Sequence, residues 1–94
     1  ELPMLTIRKP TREQITAATD WQVWQHDGQE PFEHQYEQSV RFLVMEGAAF
    51  IEVVGDKSYS VSQGDLVTVA KGVEAKWDIT APITNRFTYE LNDS

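Results

Sequence analysis

Apolar positions in this chain recur mainly at every second residue, in short runs broken by Gly, Pro and Asp, which is the period of half-buried β-strands. The stretch Gln63 to Trp77 shows the pattern most fully. A Gly64-Asp65 turn leads into the β-branched run Val67-Thr68-Val69, a Lys71-Gly72 turn follows, and a second alternating run passes through Trp77 to Ile79. Gly tolerates positive φ and Asp bonds its own local backbone, so each turn has a chemical cause.

The same reading extends along the chain. Met4 to Lys9 alternates Leu5 and Ile7 with Thr6 and Arg8, predicting a strand that Pro10 ends. Thr11 with Gln14 has the form of a capping box, and Ile15, Ala17 and Ala18 predict one short helix to about Thr19, which must dock on the rest to be stable. Trp21 and Val23 then share one strand face, with Gln22 and Trp24 on the other. An indole on each side predicts cover on both, from the helix or from a second subunit. After the turn at Asp27 to Pro31, Phe32, His34 and Tyr36 fall on one face of a half-buried strand.

Val40 to Met45 predicts a strand covered on both sides, with Glu46-Gly47 as the turn into Ala48 to Val54. Gly55-Asp56 has the form of a two-residue hairpin loop with Gly first, leading to Ser58 to Ser62. Thr80-Ala81-Pro82 is a further turn, into Ile83 to Leu91. About eight or nine short strands in one small chain point to an all-β antiparallel barrel or sandwich. Closure is expected, because an open edge invites unwanted pairing.

Composition narrows the function classes. The chain has 94 residues, enough for a single domain with a small core. Fifteen carboxylates against eight Lys and Arg give a net charge of −7 with no basic run, which argues against nucleic acid as a partner. The absence of Cys removes disulfides, thiol catalysis and thiolate zinc sites, and is compatible with the cytoplasm. No run approaches the roughly 18 apolar residues of a membrane span, and no membrane partner is expected. Glu1, Leu2 and Pro3 are compatible with a cloning remnant ahead of a native start at Met4.

Two blocks of these residues resemble the paired motifs of the cupin superfamily: Phe32 to Gly47, and Gly64-Asp65 through Gly72. Lys9-Pro10-Thr11, Trp21 with Trp24, Gly64-Asp65-Leu66-Val67-Thr68, Lys71-Gly72 and Trp77 are similar to the small single-domain cupins related to the cupin domain of ureidoglycine aminohydrolase. The resemblance covers nearly all of 1–94 as one cupin domain. It implies a cupin-type antiparallel β-barrel (jelly roll) with one short N-terminal helix, a pocket at one open end and a homodimer.

Many cupins hold a divalent metal with three His and one Glu, and the resemblance maps those four positions onto His34, Tyr36, Val40 and Ala75. Val and Ala offer no lone pair, so no metal site and no cofactor are expected. His34 with the Tyr36 phenol retains a capacity for weak divalent binding, with Glu37, Glu52 and His26 as further donors outside the motif.

The candidate ligand-binding residues are His34, Tyr36, Trp77 and Arg41; a catalytic residue is not assigned. His34 is either a lining residue satisfied by Tyr36 or a backbone carbonyl, or a ligand-binding or acid-base group. Trp77 is core filling or a pocket wall. Arg41, in the most apolar strand, either lies on the surface or pairs with Glu52 across the Glu46-Gly47 turn, as a carboxylate-binding pocket would require. His26, beside Asp27, is expected to be solvated.

Three functions follow. One is a metal-independent cupin binding a small polar or carboxylate-bearing molecule in the barrel mouth. The second is an enzyme of the ureidoglycine aminohydrolase type acting on a small nitrogenous or sugar-like substrate. The third is a structural dimerisation module with a filled barrel.

Overall fold

A computed structural model of the protein describes residues 4–28 and 30–89. The order of elements is β1 (Leu5–Arg8), α1 (Arg12–Ala18), β2 (Gln22–His26), β3 (Phe32–Gln35), β4 (Val40–Val53), β5 (Ser58–Ser62), β6 (Leu66–Val69) and β7 (Glu74–Tyr89). The expectations for Glu1 to Pro3, and for the end of the last strand at Leu91, fall outside the described residues.

All pairings are antiparallel, and two long strands organise them. The first half of β4 lies between β6 and the second half of β7, with β1 beyond β6 and β2 beyond β7. Its second half lies between β5 and the first half of β7, with β3 on the far side of β7. The result is a β-sandwich whose two layers share β4 and β7. Trp77 of one layer packs against Trp24 and Phe42 of the other, with ring centroids 5.6 Å away in each case.

Glu46-Gly47 and Thr80-Ala81-Pro82 are therefore bends within continuous strands, where the sequence pattern suggested chain reversals. The β4–β7 register slips between Val44 and Ala49, which is how extra residues bend a strand without ending it. Gly47 makes this possible, with φ of 88°. A Cβ there would lie 2.7 Å from the Ile83 Cα and would also collide with the Pro82 carbonyl. Pro82 sits at the same irregularity, where a missing N–H costs least. Merging these pairs of runs gives seven strands.

Two further details differ from the sequence reading. Gly55 occupies the third position of the turn Val53 to Asp56, closed by the Asp56 N–H to the Val53 carbonyl at 3.0 Å, so the β4–β5 loop is wider than a two-residue one. The sheet is also open: among the described residues β1 and β2 end the path without pairing with each other, so it is a sandwich rather than a closed barrel.

The helix forms as its cap predicts. The Thr11 hydroxyl accepts from the Gln14 N–H at 3.1 Å, and the Gln14 side chain accepts from the Thr11 N–H at 2.8 Å. It buries Ala18 against Leu43 and Leu66, with Trp21 packed alongside. Thus the helix side covers Trp21, while Trp24 turns inward. Arg86 ties the helix exit to β7 by donating to the Thr19 carbonyl at 3.2 Å.

Candidate functional site

Strand parity builds a cavity between the layers. On β7 the odd-numbered residues point inward through both halves, so Ala75, Trp77, Ile79, Ile83 and Asn85 are buried while Lys76 and Asp78 are exposed. On β4, Val40, Phe42 and Val44 share the inward face. Phe32 and His34 of β3, and Tyr36 just beyond it, complete the wall. Its volume is about 160 Å³, and Trp24, Val40, Phe87 and Tyr89 also line it. His34 and Tyr89 are exposed, so the cavity reaches solvent beside them.

Aromatic rings form most of this wall. Phe32 stacks on Trp77 at 6.1 Å with ring planes 9° apart, across the cross-strand pair Phe32–Trp77. His34 meets the Tyr36 ring edge-on at 4.5 Å. The Trp77 indole N–H donates to the Tyr36 hydroxyl at 3.1 Å. Backbone bonds fix Tyr36 further: its N–H donates to the Val73 carbonyl at 2.8 Å, and its carbonyl accepts from Gly72 at 2.7 Å.

The electrostatics of the wall follow from burial. Desolvation pushes the Tyr36 hydroxyl up to about 12, against the opposing pull of the Trp77 hydrogen bond and with a further push from Tyr89. Tyr36 therefore stays a neutral phenol at physiological pH, accepting from Trp77 and keeping its own proton for donation. Asn85 is 3% exposed and its Oδ1 has no hydrogen-bond partner.

Of the residues singled out in the sequence, His34, Tyr36 and Trp77 converge on this cavity. Arg41 does not. It shares a face of β4 with Leu43, opposite to Val40 and Phe42, between Thr68 and Thr88 on the flanking strands. Because β4 runs on through Gly47, Glu52 lies eleven residues further along the same strand and is not across a turn from Arg41. His26 also differs from expectation. It is half-buried, packs on Phe32 at 4.7 Å, and accepts from the Gly28 N–H at its Nδ1 at 2.9 Å.

The four positions that the cupin metal motif would occupy do fall near one another. His34 is the direct cross-strand partner of Ala75, and Tyr36 and Val40 line the same cavity. The side chains present do not fit a metal, however. Val40 and Ala75 carry no donor, Tyr36 is held neutral, and Glu37 and Glu52 are exposed. Among the described residues no three His, Asp or Glu side chains gather as a metal would need.

Asn85, Phe87 and Tyr89 are the wall residues that the sequence reading left without a role. The available signal was parity: Asn85 is an amide in the apolar half of an alternating strand, two residues before Phe87.

A β-sandwich with an aromatic cavity opening between its layers places the protein among the cupins. The chain belongs to the EutQ-like cupin family, whose profile matches residues 15–87. A crystal structure of a DUF861 family protein from Thermotoga maritima is similar to it with a TM-score of 0.86 and 25% sequence identity, over 92% of this chain and 99% of that one. No curated protein sequence matches the chain.

Proposed function

We propose that this chain binds a small, flat organic molecule in the cavity between its layers, and does so without a metal. The observation that carries this reading is the cavity itself, about 160 Å³ with stacked rings for walls and polar groups at Tyr36 and Asn85. Apolar cavities of about 150 Å³ take up a benzene-sized guest. Ring-lined hollows with a few placed polar groups are the usual form of a small-molecule site. Tyr36 and Trp77 form the inner wall in this reading, and His34 stands at the mouth.

The ligand class shifts from the sequence expectation. With Arg41 on the opposite face of β4 and no Lys or Arg among the described lining residues, a carboxylate entering the cavity would lack a fixed cation to pair with, so an uncharged guest is favoured. The ureidoglycine aminohydrolase alternative draws no support from the donor set at 36, 40 and 75. The dimerisation module needs a filled interior, and the cavity counts against it. A homodimer and a cytoplasmic setting remain parts of the proposal; the first is supported by exposed Val23, Phe50 and Val54. Among the described residues no helix is long and apolar enough to cross a membrane.

Titration with a panel of one-ring compounds, ureides, sugars and carboxylates, read by tryptophan fluorescence, tests the reading. A saturable change is expected for uncharged one-ring compounds, weakened in Val40→Met, where the longer side chain takes up cavity space. A panel with no saturable binder overturns it.

A further inference from the structure

Asn85 sits in the middle of its layer, with Trp24 of β2 as its cross-strand neighbour on one side and Val44 of β4 on the other. Its backbone is fixed on both edges, and its side chain lines the cavity with Phe87 and Tyr89 nearer the exposed end of β7. At 3% exposure its Oδ1 is enclosed and accepts no hydrogen bond from the protein. Buried polar atoms are nearly always paired, because an enclosed acceptor without a donor loses the bonds it made to water. An apolar side chain of similar size would suit this position better by packing alone. An unpaired polar group at such a position breaks the packing rule in the way functional or strained sites do.

We infer that Asn85 is a specificity-determining residue of this cavity, its side-chain amide turning its oxygen to accept a hydrogen bond from an uncharged one-ring ligand that carries an N–H or O–H donor. This rests on the binding reading above and deepens it. The rings of Phe42, Trp77 and Phe87 suit the flat faces of such a guest, and the cavity volume of about 160 Å³ suits a single ring with a small substituent. The donor is the part that walls of carbon cannot select. A site whose buried acceptor is left unpaired by the wrong guest discriminates strongly against it.

Phenol and benzene are the probes, matched in ring and differing in the donor. They are titrated into the full chain with the Asn85 side-chain amide and the Trp77 indole N–H followed by NMR. Phenol is expected to bind about tenfold or more tightly than benzene. In Asn85→Leu the ratio falls to about one, and the ligand-free variant melts at the same temperature as the wild type or higher. Equal binding of the two probes by the wild type overturns this inference and leaves the cavity as a binder of rings. So does a clear loss of stability in Asn85→Leu, which would assign Oδ1 to a structural water. Should Asn85→Leu fail to fold, the wild-type ratio and Asn85→Ala decide. If neither probe binds, this inference falls, and the binding reading falls with it only when the wider panel also yields no saturable binder.

Discussion

The indole of Trp77 donates to the hydroxyl of Tyr36 at 3.1 Å, tying the inner face of β7 to the segment that follows β3. Both partners are buried, so the bond replaces contacts that each group would otherwise make to water. It also holds the polar edge of the cavity in one geometry.

A pH signature follows. Tyr36 has its hydroxyl raised to about 12, against 10 in an unfolded chain. Above pH 10 the unfolded state releases that proton while the folded state keeps it, so this group's contribution to stability is constant below pH 10 and falls as pH rises towards 12. The loss attributable to this group is roughly 2 to 3 kcal/mol. Tyr36→Phe should unfold more easily at pH 7, by about 1 to 2 kcal/mol, since it leaves the Trp77 N–H unpaired. Its stability should also fall less steeply between pH 10 and 12 than that of the wild type. Denaturant melts across this range check both, and parallel slopes for the two proteins would count against the burial of Tyr36.

Two glycines with the same sign of φ should differ in cost. Gly55→Ala meets open space and bears only the left-handed backbone penalty, about 1 to 2 kcal/mol. Gly47→Ala bears that penalty and must also push the Pro82–Ile83 backbone away, so a loss of about 3 kcal/mol or more is expected. Equal losses in chemical denaturation would show that β4 and β7 are not in close approach at their bends.

The cross-strand pair His34–Ala75 makes the metal question testable. Elemental analysis of the purified protein should find no stoichiometric transition metal. The triple variant Tyr36→His, Val40→Glu, Ala75→His should be less stable than the wild type without metal. It should recover about 2.7 kcal/mol with a divalent ion at a hundred times its dissociation constant. A folded variant indifferent to metal would reject this correspondence of positions.

Self-association is a fourth expectation, from the exposed Val23, Phe50 and Val54 on so small a domain. Light scattering at micromolar concentration should give about twice the 10.7 kDa chain mass. A value at the chain mass removes the dimer.

The sequence pattern carried most of the local structure and less of the site. The Thr11 cap, the strand of Ser58 to Ser62 and the shared face of Phe32, His34 and Tyr36 were legible because each depends on neighbours within a few residues. The bends at Gly47 and Pro82 were not, since Gly and Pro mark a reversal and a bulge alike, and only the partner strand decides between them. The pairing of Arg41 with Glu52, one of its two readings, depended on the same bend: with a reversal at Gly47 the two would face each other, and without one they cannot. Asn85 was overlooked because an amide in a strand is ordinary until its enclosure is known.

Because β4 and β7 each run through both layers, the layers cannot separate without breaking the two strands that hold each together. Opening the sandwich is then nearly as costly as unfolding it, and a guest enters at the rim beside the exposed His34 and Tyr89 side chains. Exposed side chains turn in picoseconds to nanoseconds, whereas collective domain motions take microseconds or longer. Uptake should therefore be fast and limited by encounter at the rim, leaving the lifetime of the complex to set its affinity.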